Sequence, residues 1–381
     1  MRFCFIAFVI LSIQNASAEE LYEAYTSARA AGMGNAYSAL VRNDESLFYN
    51  PAGLAKSDTF SLTVFNANLG ANGSDVVEVA KSFTSSGDDF TDAIRDMYGK
   101  KIWLGGKGKV GAVISGIGAA AWGDLTIGAN AGNPAFPTIN TNYVQDYGFV
   151  GGVGFNVIPE FMAFGFTAKR ITRTGARVPI GLETLATLSD SDLRERISNT
   201  GTGYGMDAGV NLSLPVATHP TLSLVWKNIG TTRFSQDSGS ERPPTIDNEL
   251  VFGFGLNFET ALIDVRPIFD YRHAFDWDEQ YGKKIHMGVE IATPGFRFRG
   301  GLSQGYYTLG AGVDFAILRV DAATYGVELG EYPGQHEDRR YLLELSMEFG
   351  FDASGGGWGL FGDGKGAGGG NSGFGGPKSR R

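Results

Sequence analysis

Leu250, Phe252, Phe254, Leu256 and Phe258 alternate with Glu249, Val251, Gly253, Gly255 and Asn257. Such period-two alternation marks a strand with two chemically different faces. It recurs in Tyr204, Met206, Ala208, Val210 and Leu212 against Gly203, Gly205, Asp207, Gly209 and Asn211, and in Ile285, Met287, Val289 and Ile291 against Lys284, His286, Gly288 and Glu290. The chain is 43% hydrophobic and 19% charged, yet its longest apolar run is a short one at the N-terminus. A bundle of membrane helices, each needing ~20 consecutive apolar residues, is therefore excluded.

Alternating segments begin near residues 59, 100, 109, 143, 162, 202, 220, 249, 263, 284, 295, 306, 318 and 339. This predicts about fourteen strands. One class of connection is short, at 106–108, 158–160, 214–220, 259–262, 293–295 and 317–318. The other is long, at 71–99, 124–142, 174–201, 231–248, 274–283 and 330–338, with a tight exception at 304–305. An even strand number, a dyad repeat and loops that alternate short and long predict an all-β fold, a transmembrane antiparallel β-barrel of the outer-membrane type. A soluble sandwich would need a second sheet over every apolar face and gives no reason for the loop lengths to alternate. In lipid, only helices and closed barrels satisfy every backbone polar group.

The chain starts with Arg2, an apolar run over 3–13 and Ala16-Ser17-Ala18, the pattern of a secretory signal peptide. The expected division is signal 1–18, an N-terminal segment 19–58, a barrel 59–351 and a glycine-rich tail 352–381. Cys4, the only cysteine, lies in the signal, so disulfides and thiolate chemistry drop out. A net charge of -9 and a pI near 5.1 speak against nucleic acid, which calls for a basic face. In the last strand Tyr341, Leu343, Leu345, Met347 and Phe349 alternate with Leu342, Glu344, Ser346 and Glu348; this resembles the terminal aromatic signal that barrel-assembly machinery reads. The tail from Ser354 is a flexible coil by composition, either inert or a reach toward peptidoglycan or a partner.

Residues 19–58 do not alternate. They contain Arg29-Ala30-Ala31-Gly32-Met33-Gly34 and Tyr49-Asn50-Pro51-Ala52-Gly53-Leu54-Ala55. These two elements resemble the start of the FadL-type long-chain fatty-acid transporters and the related PorV/PorQ-like barrels. The resemblance implies a fourteen-stranded barrel whose N-terminal segment folds inward as a plug, or hatch, with Gly32, Gly34, Asn50, Pro51 and Ala52 as its motif residues. Pro51 fixes its own φ and pushes Asn50 toward an extended conformation, which suits a sharp turn. The competing reading of 19–58 is a periplasmic appendage.

With the apolar set facing outer-membrane lipid, the lumen of the later strands is charged: Asp264, Arg266, Asp270, Arg272, His286, Glu290, Arg297, Arg299, Asp314, Arg319, Asp321, Glu344 and Glu348. Charges of opposite sign at matched depth on neighbouring strands pair, which predicts a braced polar wall. The earlier stretch 109–123 is instead small and apolar on both faces. In FadL-like proteins the third strand opens sideways into the bilayer. Gly111, Gly116 and Gly118 are the candidates for such a lateral opening, or else they make room for the plug. Helical spacing in 75–98 and 182–197 suggests amphipathic caps that shelter a ligand, meet a neighbouring protomer or cover their own rim.

Three patterns imitate catalytic motifs. Gly106-x-Gly108-x-x-Gly111 fits a dinucleotide fingerprint but lacks the helix that must follow. Gly301-x-Ser303-x-Gly305 fits a nucleophile elbow, yet 306–317 alternates as a strand. His219, His273, His286 and His336 have no metal-ligand spacing, and Asp276-Trp277-Asp278-Glu279 reads as a solvated loop. No enzyme, cofactor or metal is expected. The functional expectation is passive uptake of a hydrophobic or amphipathic small molecule past the plug. The alternative is a structural or assembly barrel of PorV/PorQ type that binds protein or lipid partners, alone or as a homo-oligomer.

Overall fold

The computed structural model describes residues 20, 21, 23, 25–57, 60–73, 101–132, 138–181, 198–260, 262–315 and 317–351. The signal with Cys4, both cap segments 75–98 and 182–197, and the glycine-rich tail lie outside the described residues. Fourteen strands follow one another: β1 Phe60–Asn72, β2 Lys101–Ile114, β3 Ile117–Gly132, β4 Thr138–Ile158, β5 Met162–Gly181, β6 Thr200–Ser213 and β7 Thr221–Lys227. Next comes β8, in two pieces, Glu249–Gly255 and Phe258–Glu259, both paired to β9. The rest are β9 Asp264–Tyr271, β10 Ile285–Thr293, β11 Phe296–Ser303, β12 Tyr306–Phe315, β13 Leu318–Glu328 and β14 Glu337–Phe351. Each pairs antiparallel with its neighbours in sequence, and β1 pairs with β14 from Phe60↔Phe351 to Asn72↔Arg340, so the sheet closes on itself.

The two faces separate by chemistry. Tyr204, Met206, Phe252, Phe254, Leu343 and Phe349 are exposed, while Gly203, Gly253, Asp207, Glu290 and Glu344 face inward and are buried. An apolar exterior over an ion-rich interior is what a strand meeting lipid on one side requires.

Strand placement differs from the sequence reading at two places. Residues 106–108 are no turn: they lie in the middle of β2, and the reversal comes at Ser115 and Gly116, both with positive φ (47° and 81°). β3 therefore starts at 117, not near 109; with small residues on both faces, alternation has no contrast there and the turn cannot be located by it. Second, 124–132, 138–142 and 174–181 are strand rather than loop. Residues 138–142 are mostly asparagine and threonine and hide their strand, and 174–181 is interrupted by Arg177 and Pro179, whereas in β3 Leu125 and Ile127 still alternate with Asp124 and Thr126 and were missed in the sequence reading. β4 has 21 residues and β5 has 20, against ~9–11 needed to span. β7 has only 7, so one side of the barrel is tall and the other low.

Residues 25–57 fill the interior. α1 (Ala28–Gly32) is capped by Ser27, and its first free N–H, on Ala28, donates to Glu344 Oε2 of β14 at 2.8 Å. A carboxylate there satisfies an orphan donor and matches the positive end of the helix. α2 (Ser46–Tyr49) leads into a 3-10 turn over Pro51–Lys56. That turn lies against the backbones of β4, β5 and β6: a Cβ on Gly165 would come within 2.2 Å of the Pro51 carbonyl oxygen, and one on Gly209 would overlap Asn50. On the opposite side Gly288 and Gly301 make way for Met33 in the same manner. Much of the glycine in the wall is thus the impression left by the inner segment.

Lys56 Nζ donates to Ser213 Oγ (3.0 Å) near the short-turn end. Burial, reinforced by Arg42, lowers its pKa to about 8. Because the folded value is depressed, protonation opposes the seated state: seating is weakest below pH 8 and strengthens as pH rises through that value. Protease protection of 19–57 should accordingly increase between pH 7 and about pH 9.5, and Lys56→Met should flatten the profile. Gly165→Val should leave a folded, heat-modifiable barrel with 19–57 open to protease; protection equal to that of the parent would contradict this packing.

Candidate functional site

Asn50 anchors the inner segment. Its Nδ2 donates to Ser38 O and to Asn211 Oδ1 of β6 (both 2.8 Å), and its Oδ1 accepts from Ala52 N (3.0 Å), which starts the turn after Pro51. Gly34, with φ 70°, sits where a Cβ would overlap carbonyls of β10 and β11. Thr308 Oγ1 accepts from Gly34 N (2.9 Å), and His286 Nδ1 lies 2.8 Å from Gly34 O. Asp270 receives Tyr37 N (2.8 Å), Ser38 N (3.0 Å) and Ser38 Oγ (2.7 Å). Backbone groups that a helix-poor segment leaves unpaired are thus met by wall side chains.

The charged wall residues come together as pairs. Glu290 is held by Arg29 of α1 (2.8 Å), by Arg299 (2.8 Å) and by Arg266 (3.0 Å), which also reaches Asp264 (3.1 Å). Arg299 goes on to Asp321 (2.6 Å). Asp314 joins Arg297 (2.9 Å) and Arg319 (2.8 Å) nearer the short-turn rim. Arg272 lies apart from this group, bound to Glu249 (2.9 Å) and Glu23 (2.8 Å). A buried carboxylate is tolerable only with such partners.

On the long-loop side a cavity of about 450 Å³ remains above the inner segment. Its floor is Tyr25, Phe48 and Trp122; Tyr25 and Phe48 stack with centroids 4.4 Å apart, and Trp122 meets Phe48 edge-on at 6.0 Å. Lys169, Lys227, Glu249 and Arg272 stand around it, paired as Lys169–Asp207 (2.8 Å) and Lys227–Glu249 (3.2 Å). Burial pushes the Tyr25 hydroxyl pKa up against the pull of Lys109, and burial with Glu45 raises that of Tyr49, so the aromatic layer stays neutral. Asp276, in the acidic run, faces this cavity and lies 3.1 Å from His273 Nδ1.

Outside the wall there is a second space, and this one is apolar. A hollow of about 570 Å³ opens among Val64, Val110, Ala112, Ala119, Ala121 and Phe149. Next to it the β1–β2 register slips between Thr63 and Asn66, whereas the β2–β3 and β3–β4 ladders run unbroken. Of the three glycines singled out in the sequence, Gly111 lines this hollow with Asp44 behind it, Gly116 forms the hairpin turn, and Gly118 packs on Leu47 and Leu54.

No family model and no curated protein matches the chain. Solved structures do. The chain is similar to the CymD monoaromatic hydrocarbon channel, with a TM-score of 0.52, 10% identity, and 84% of this chain and 96% of that one covered. It is also similar to the TodX deltaS2S3 mutant monoaromatic hydrocarbon channel, with a TM-score of 0.51, 10% identity, and 86% and 99% covered. The chain shares the fold of these channels. This is the architecture that the FadL-type resemblance of the N-terminal motifs implies, and at such low identity the likeness concerns fold alone.

The aromatic floor was missed in the sequence because Tyr25 and Phe48 lie where no periodicity applies. Asp146, Lys169, Arg173 and Asp207 could have been found, since they occupy inward positions of β4, β5 and β6 by the same alternation that located the later charges. Glu290→Ala, which strips three arginines of a shared partner, is expected to destabilise the folded barrel by roughly 3–5 kcal/mol, read as a shift in the urea midpoint in detergent.

Proposed function

We propose that the protein is an outer-membrane channel for passive uptake of hydrophobic or amphipathic small molecules, with residues 19–58 acting as plug and with lateral exit into the bilayer. In this reading the short turns and both termini face the periplasm, and the long loops face outward. No chemistry or energy source is involved. The observation that carries the reading is the pair of spaces on either side of one wall: within, a cavity with an aromatic floor and a charged surround, and outside, the apolar hollow. They share β3, Trp122 facing the cavity and its neighbour Ala121 the hollow, and the inner segment at Asp44 lies behind Gly111 of the hollow. The β1 bulge is the weakest part of the nearby ladder, since a bulge disrupts pairing locally. We place the exit there, beside Gly111, while the contacts of Gly118 with Leu47 and Leu54 favour the reading in which small residues make room for the plug, and Gly116 serves the hairpin turn against Gly154.

Uptake of hydrophobic solutes should fall in a deletion strain and be restored by the parent gene. Ala119→Phe with Ala121→Phe, which fills the hollow, should restore it only weakly although the barrel is assembled. Equal uptake with and without the gene, across aromatic and aliphatic solutes, would refute the reading.

One observation favours a partner-binding barrel of PorV/PorQ type instead. The Glu290 and Asp314 networks brace β9–β14 against α1, and the crevice between Arg29, Arg42 and Glu344 holds only about 10 Å³, so this half of the lumen is packed. Gentle extraction followed by mass measurement separates the two: a stoichiometric protein partner or homo-oligomer speaks for assembly, a bare monomer for the channel.

A further inference from the structure

The connection 228–248 between β7 and β8 is built as a structural element. β6 continues to Thr200, but β7 pairs with it only as far as Ala208↔Trp226. The rest of that β6 edge would be bare, and the connection occupies it through the bridges Gly203↔Phe234 and Thr200↔Ser238, with Ser235 N donating to Thr202 O (3.0 Å). It also leans over the lumen. A Cβ on Gly201 would overlap the Ser235 carbonyl, one on Gly203 the Phe234 ring, and one on Gly205 the Thr232 hydroxyl.

Asn228 (φ 49°), Gly230 (φ 81°) and Thr231 (φ 65°) turn the chain inward. A β-branched residue in the left-handed region is a genuine outlier, held here by what surrounds it. The two arms are joined by the Thr232↔Ile246 bridge, and Phe234 and Ile246 are 3% and 4% exposed.

Arg173 of β5 grips both arms. It is 2% exposed and doubly hydrogen-bonded to Asp146 (2.7 and 2.6 Å). Its guanidinium lies 4.9 Å from the Phe234 ring centroid, and Nη1 donates to Pro244 O at 2.8 Å. The returning arm, 244–248, then forms the cavity wall that faces the Tyr25–Phe48–Trp122 floor.

We propose that this connection, pinned by Arg173, is a fixed constriction, and that it rather than the ring of strands sets the size of molecule that reaches the aromatic floor. A fourteen-stranded ring is wide, so the limit belongs to whatever fills it. What is left, about 450 Å³, is the scale of a single small organic molecule. The inference rests on reading the cavity as the entry chamber, and it adds Arg173, Phe234 and Asp146 as positioning residues for size selection.

The test uses the full chain with Cys4→Ser in liposomes, with Phe48→Cys as reporter and Trp122→Cys as a second. Maleimides of graded size are the probes, so no natural substrate is required. The parent should react with small reagents only. Arg173→Lys, which keeps a charge for Asp146 but not the fork that reaches both arms, should speed reaction with large reagents by about tenfold or more, as when one buried hydrogen bond to a charged group is lost, and Phe234→Ala should do so by at least as much because it removes a buried ring and its contact with the guanidinium. Adding Thr200→Cys with Ser238→Cys, oxidised to a disulfide, should restore the parent's size limit and leave small reagents unaffected. An unchanged size limit in both variants while the barrel remains heat-modifiable would overturn the proposal. So would a disulfide that blocks small reagents, because the connection would then be a moving gate. Intact hydrophobic uptake with an unchanged size limit refutes this inference alone; a shifted size limit without hydrophobic uptake refutes the channel reading alone.

Discussion

A strand in lipid has no water to satisfy its N–H and C=O groups, so the sheet must close. Here closure is made by β1 on β14, Phe60↔Phe351 through Asn72↔Arg340, and the other features follow from it. A closed ring of fourteen strands encloses more space than its own side chains fill. Its interior therefore needs a further occupant, and its uneven height leaves an edge above β7. Residues 25–57 meet the first need and 228–248 the second.

Both occupants are held by the same means. Each is poor in regular structure, so its backbone polar groups look outward for partners. Glu344, Asp270 and Thr308 serve the N-terminal segment, and Arg173 with the β6 edge serves the connection. Wherever a backbone must approach the wall closely, the wall carries glycine, as at Gly165, Gly288 and Gly203. Buried ion pairs such as Arg29–Glu290 add little net stability compared with apolar packing, but a mispositioned inner segment would strand a charge. They set register more than strength.

The alternation in β6, β8, β10 and β14 was legible because lipid and lumen impose opposite chemistry on successive residues. It failed in 101–123, where Gly and Ala on both faces remove the contrast, and in the tall ends of β4 and β5, where Asn, Thr, Arg and Pro interrupt the pattern. The charged half of the site was legible on the same principle: Asp270, Glu290, Arg299 and Asp321 stand at inward positions. The aromatic floor was not, because Tyr25 and Phe48 are placed by turns rather than by period, and their meeting with Trp122 spans the chain from 25 to 122.

By itself the sequence determined the fold class, the strand count and which face of most strands is apolar, because those depend on local periodicity that lipid enforces residue by residue. It also marked Asn50-Pro51-Ala52 as a special turn. Only the tertiary structure decided that Asn50 bonds Asn211, that Glu290 gathers Arg29, Arg266 and Arg299, and that 228–248 lies over the lumen face of β6. Those contacts join residues far apart in the chain, and their positions follow from ring closure, shear and strand height, which no local pattern records.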